Sequence, residues 1–189
     1  MEKIKLLALF GESSAGKDSI QHWLTSTLKN THEIISYTTR PKRDYEKNGK
    51  EYYFISDEEF MKLFLKNEFL ETSVFNKWFY GTSKKSLNLD KLNIGVFNPQ
   101  GIRSLLSHSD IINVLPVWIQ SYDKERLLRS LKREISPNCE EICRRFLADK
   151  EDFKNIDFEH EIFLNNEGKD NYYGFLNRPK ILNFLKGQK

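Results

Sequence analysis

Cysteine is nearly absent, with only Cys139 and Cys143 in the chain. Along a helix they would stand one turn apart, a spacing that does not suit a disulfide. No histidine lies near them to complete a zinc set, so both read as reduced thiols. His22, His32, His108 and His160 are scattered and suggest neither a metal site nor a hydrolytic triad. An excess of one charge is also missing. Thirty Lys and Arg against 27 Asp and Glu leave a net +3, too little to argue for nucleic acid. No apolar run approaches a membrane span, and Met1-Glu2-Lys3 does not open a secretory leader. Repeats and low-complexity linkers are absent as well. The expectation is a soluble cytoplasmic protein that engages neither nucleic acid nor membrane.

What the chain does have is a glycine-rich turn directly behind an apolar run. Residues 4–10 read as a buried strand, and Gly11-Glu12-Ser13-Ser14-Ala15-Gly16-Lys17 follows at once. Glycine, four residues, glycine, lysine is the spacing of a phosphate-binding P-loop. The glycines let the backbone curl so that several N–H groups face one anion-sized hollow. The lysine adds a mobile positive charge, and a helix over 17–28 would point its N-terminal dipole into the same hollow. The residue after the lysine is normally Ser or Thr, whose hydroxyl touches Mg²⁺; here Asp18 stands there, followed by Ser19. Asp18 could bind Mg²⁺ directly or through water. It could equally cap the first helical turn.

Strand-like runs occur at 4–10, 93–97, 111–119 and 161–164, with helical patterns at 17–28, 100–107, 124–133, 140–149 and 172–185. That alternation predicts an α/β fold, a parallel sheet flanked by helices, with the P-loop at the carboxyl end of the first strand. Residues 32–82 break the rhythm with short aromatic segments at 32–38, 51–55, 69–75 and 77–81. A helix over 57–66 interrupts them, opened by a Ser56/Glu59 capping box. This stretch reads as a small, mostly antiparallel sheet inserted into a core of 1–31 and 83–189, the whole forming one folding unit. A sheet beside a P-loop suits a second substrate.

The insertion carries Ser36-Tyr37-Thr38-Thr39-Arg40-Pro41-Lys42-Arg43, then Glu46, Asn48-Gly49-Lys50-Glu51-Tyr52-Tyr53-Phe54, Glu68-Phe69-Leu70-Glu71 and Phe79-Tyr80-Gly81-Thr82-Ser83. In order and spacing these segments resemble the guanylate kinase family, and the similarity runs from the P-loop to about Asn166. The resemblance implies ATP-dependent phosphorylation of GMP or dGMP with Mg²⁺, by a monomer or homodimer. It implies that Arg40, Arg43, Tyr52 and Tyr80 hold the acceptor phosphate, a task suited to planar guanidinium forks and phenolic O–H groups. Ser36, Glu71 and Thr82 would read guanine, the carboxylate accepting from N1–H and N2–H₂ together. Residues 124–150 resemble the family's helical lid, with Arg129, Arg133 and Arg145 as arginines that stabilise the migrating phosphoryl group beside Lys17. Asn165 matches an asparagine near the adenine pocket.

One strand departs from the family. Guanylate kinases usually carry two aspartates where this chain has Val96 and Asn98. Asn98 keeps hydrogen bonding toward the acceptor without charge; Val96 keeps neither. Ribose 1,5-bisphosphate phosphokinases resemble the chain at Gly16-Lys17-Asp18-Ser19 and at Asn98, but generally lack the guanine set kept at Arg43, Tyr52 and Glu71. A different acceptor, ribose 1,5-bisphosphate or another deoxynucleoside monophosphate, is therefore one alternative. A catalytically weakened binding module is another, set against Gly16 and Lys17, which such modules typically lack.

Overall fold

The computed structural model describes residues 3–75, 77–133, 135–156, 161–163 and 183. Strand β1 (Ile4–Phe10) lies at the centre of a sheet ordered β2-β7-β1-β8-β9. Its companions are β2 (Thr31–Glu33), β7 (Leu92–Val96), β8 (Ile112–Gln120) and β9 (Glu161–Phe163), and every pairing is parallel. A central parallel strand is covered on both faces, which is why residues 6–10 are apolar without alternation. Leu7 and Leu9 pack against Ile20 and Leu24 of α1 (Lys17–Thr27). Leu6, Ala8 and Phe10 point the other way, to Ile102 and Leu105 of α3 (Pro99–Leu106).

The insertion forms a second sheet, ordered β4-β3-β6-β5, from β3 (Tyr37–Thr38), β4 (Tyr53–Phe54), β5 (Phe69–Phe75) and β6 (Trp78–Ser83). Two of its pairings are antiparallel, while β3 and β4 run parallel. Its helix α2 (Asp57–Leu65) opens on the expected capping box. Phe60 from that helix stacks on Phe69 and Phe79, which fixes α2 to the sheet.

The run expected as one strand over 32–38 divides. Thr31–Glu33 pairs with β7 in the large sheet, and Ile34 extends that ladder by donating its N–H to the Ile94 carbonyl. Only Tyr37–Thr38 joins the small sheet. The chain changes sheets here because Ile34 belongs to the main core while Thr38 is buried in the insertion. Helices α4 (Asp123–Arg133) and α5 (Cys139–Asp152) make the expected helical pair beside the P-loop. Asn183 is helical, but the rest of the helix expected over 172–185, Asn165 and the end of the strand expected at Leu164 lie outside the described residues.

Candidate active site

The P-loop leaves β1 through Gly11, whose φ of +151° and position exclude any side chain. A Cβ there would meet the Ile119 carbonyl oxygen of the neighbouring strand at 2.2 Å. The loop closes on Gly16, the N-cap of α1. Lys17 curls back and donates from Nζ to the carbonyls of Gly11 and Glu12 at 2.8 and 2.9 Å. Burial in the hollow lowers the pKa of its ammonium, partly offset by Asp18, Asp149 and Glu12. Asp18 and Ser19 are exposed on the first turn of α1 and border the same cavity.

That cavity, about 510 Å³, runs from the P-loop to the insertion and is roofed by the lid helices. On the insertion side Arg40 is buried and bidentate on Glu46, with Nη2 to Oε1 at 2.7 Å and Nη1 to Oε2 at 3.0 Å. Burial opposes the Arg40 charge, but the bond and charge of Glu46 outweigh it and hold the guanidinium ionised. Glu46 also accepts the Arg43 N–H at 2.8 Å, so one carboxylate orients both arginines. The Arg40 guanidinium lies 5.7 Å from the Tyr52 ring centroid, and the Tyr52 ring meets Tyr80 edge-on. Burial pushes both phenols up, Tyr52 far up, so they stay neutral donors.

At the far end Glu71 is buried beside the start of α3. Gly101 makes this approach possible, since a Cβ there would lie 2.9 Å from Glu71 Oε2. Burial raises the Glu71 carboxyl to about 7, against hydrogen bonds from Thr82 that favour the charged form. Ser36 and Thr82 hydroxyls lie 2.9 Å apart.

A family model for guanylate kinase matches residues 3–179. The chain belongs to the guanylate kinase family. It is 34% identical over 146 residues to the guanylate kinase of Helicobacter pylori (strain ATCC 700392 / 26695), spanning 75% of this chain and 70% of that protein. It is 32% identical to the guanylate kinase of Wigglesworthia glossinidia brevipalpis over 196 aligned positions, covering 100% of this chain and 91% of the relative. The crystal structure of guanylate kinase from Anaplasma phagocytophilum shares the fold, with a TM-score of 0.67 at 23% identity, over 100% of this chain and 88% of that one.

In this chain the cavity is bordered by Ser36, Arg40, Arg43, Tyr52, Glu71 and Tyr80 from the insertion. Asn98, Lys17 and the lid arginines Arg129, Arg133 and Arg145 complete the wall. Arg144 pairs with Glu141 at the surface, and Arg145 reaches the same carboxylate through Nε at 3.1 Å while bordering the cavity. Thr82 has no exposed surface and stands behind the wall, against Ser36 and Glu71. Asn98 caps α3, accepting the Gly101 N–H at 2.8 Å, and donates to Ser73 Oγ at 2.8 Å. Both ends of its amide are engaged in holding the strand end to the insertion. Val96 borders the cavity as an apolar surface.

Four partners escape a reading of the sequence: Glu46, Ser73, Arg126 and Asp149. Glu46 falls within the family segment but shows its purpose only once Arg40 folds over it. Ser73 faces solvent or protein with equal ease in a strand. Arg126 and Asp149 sit among many helical charges, and nothing in their spacing marks them as buried.

Proposed function

We propose that the chain transfers the γ-phosphoryl group of ATP to GMP or dGMP, giving ADP with GDP or dGDP. The observation that carries this reading is a single cavity in which a P-loop, three lid arginines and a guanine-type acceptor pocket face one another. An anionic oxygen of the bound monophosphate attacks the γ-phosphorus in line, so no covalent enzyme intermediate or dedicated base is needed. Arg40 and Arg43, oriented by Glu46, hold the acceptor phosphate with Tyr52 and Tyr80. Ser36 and Glu71 read guanine, with Thr82 fixing both from behind and Asn98 closing the pocket. On the donor side, residues 11–19 receive the ATP phosphates. Asn165 belongs to the adenine side. Lys17, Arg129, Arg133 and Arg145 neutralise the migrating group.

Mg²⁺ suits this site. No group of three potential metal-binding side chains occurs among the described residues. Mg²⁺ commonly needs only one or two carboxylates besides substrate phosphates, and Asp18 with Ser19 offers such oxygens. When bound, the ion would supply charge neutralisation on the donor phosphates.

No helix among the described residues is long and apolar enough to cross a membrane. On this reading the protein works in the cytoplasm, as monomer or homodimer, on small nucleotides rather than nucleic acid or a membrane.

The test is ADP formation from ATP and Mg²⁺ with GMP, dGMP, AMP, dTMP, UMP and ribose 1,5-bisphosphate as acceptors. Turnover confined to GMP and dGMP is expected. Turnover confined to another acceptor, or tight GMP binding without turnover, would refute the assignment.

A further inference from the structure

Arg126 and Asp149 are charged, yet each is only 1% exposed. They come from different lid helices, and Arg126 Nη2 donates to Asp149 Oδ2 at 2.8 Å. Together they grip one residue of the P-loop, through the two peptide groups that flank it. Asp149 Oδ2 accepts the Ser13 N–H at 2.7 Å, and Asp149 Oδ1 accepts the Ser13 hydroxyl at 3.2 Å. Arg126 Nε donates to the Ser13 carbonyl at 3.1 Å. Arg126 Nη1 is held by Asp123 at 3.0 Å, and its guanidinium lies 4.9 Å from the Phe146 ring centroid.

The next residue is held from the same side. Ser14, at φ +61°, shares a 2.7 Å hydrogen bond with the Ser130 hydroxyl and accepts from Arg133 Nη2 at 3.0 Å. Its carbonyl accepts from Arg129. The apex of the P-loop is thus built on the lid.

A buried ion pair contributes little net stability compared with apolar side chains of the same size, because both charges lose their water. Its better use is to fix register: the arrangement must satisfy both charges and the Ser13 N–H and carbonyl between them. We propose that Arg126 and Asp149 are a positioning pair that presets the backbone at Ser13 and seats the arginine-bearing lid on the P-loop before nucleotide binds. The inference deepens the phosphotransferase reading above and rests on it for its kinetic arm only. The pair touches no reacting atom. It acts through Ser13 and through the placement of Arg129 and Arg133.

The test compares wild type with Asp149→Asn and with the double variant Arg126→Leu/Asp149→Ala, which removes both charges of the pair, although Glu12, 3.5 Å from Arg126 Nη1, loses that partner. Cooperative thermal melting establishes that each variant is folded. Hydrogen exchange is then followed in nucleotide-free protein across Asp123–Arg133 and the P-loop. In the double variant, exchange there is expected to quicken about tenfold and to return to the wild-type rate at saturating ATP. The KM for ATP should rise about tenfold with a loss in kcat, while the KM for GMP stays within about twofold. Asp149→Asn, which keeps an acceptor for Ser13, should fall between. Unchanged exchange and an unchanged KM for ATP would overturn the proposal. So would a lower KM for ATP, which would make Asp149 a competitor of the phosphates. The exchange arm needs only ATP, so its outcome stands even if GMP is not the acceptor.

Discussion

Glu71 shows how one side chain can set a pH dependence. Its carboxyl is raised to about 7 because it is buried, and the Thr82 hydrogen bonds only partly offset this. The folded chain therefore holds a proton there more tightly than the unfolded chain. Stability from this group is greatest below the unfolded carboxyl value and is lost as pH rises toward 7. The loss is complete above that, at about 3 kcal/mol. Glu71→Gln should consequently melt higher than wild type at pH 8 and nearly with it at pH 5. Function has the opposite sign, since only the ionised form accepts two guanine donors at once. The wild-type kcat/KM for GMP should rise as pH passes through about 7. In Glu71→Gln that inflection should vanish, leaving only the titration of GMP itself, with kcat/KM lower throughout. An inflection that survives the substitution would dissociate Glu71 from guanine. Asn98 belongs to the same argument, because its Oδ1 and Glu71 Oε2 both border Gly101. In Asn98→Asp the carboxylate would keep the cap on α3 but set a second negative charge near Glu71. The kcat/KM inflection should then move above 7. A profile that does not move would mean that the two groups are electrostatically independent.

At the scale of elements, local signals were legible and partners were not. The boundaries of β1, β7 and β8 follow from apolar runs bounded by turn residues, and the structure shifts them by no more than one residue. The start of α2 follows from Ser56 and Glu59, which meet in both directions of the capping box. Neither residue of that box borders the cavity, so it separates stability from catalysis. Ser56→Ala should cost about 1 kcal/mol and lower the melting temperature by about 2–4 °C, with kcat and both KM values unchanged. A kinetic effect would show that α2 moves with the acceptor pocket. The run 32–38 was illegible as two strands because β propensity records a fit to some pleated surface without saying which sheet supplies it. The burial of Ile34 in the main core decides that, and it depends on residues far along the chain. Likewise the motif identifies the P-loop, but the bonds that hold its apex come from helices more than a hundred residues away.

The whole molecule adds a field that no single motif announces. The sequence has a net charge of only +3, yet Lys17, Arg40, Arg43, Arg129, Arg133 and Arg145 all border one cavity. Asp18, Glu46, Glu51, Glu71 and Asp149 share that cavity, but Arg126 matches Asp149 from behind the wall and burial favours the protonated form of Glu71, so the six cations face Asp18, Glu46 and Glu51. The unbalanced charge that a nucleotide meets is positive, concentrated by folding from a chain nearly neutral overall. Both substrates are polyanions, so both should be drawn in through this field. Raising the ionic strength from about 0.01 M to 1 M shortens the screening length from about 30 Å to about 3 Å. The KM for ATP and for GMP should each rise several-fold across that range. The kcat should change little, because bonds such as Arg40 to Glu46 are buried and weakly screened. Steady-state kinetics in a chloride series with Mg²⁺ held constant reads this directly. A KM that is flat for one nucleotide and steep for the other would confine the field to one end of the cavity. If kcat fell as steeply as KM rose, salt would be acting on the lid contacts at Ser13 and Ser14 rather than on substrate capture.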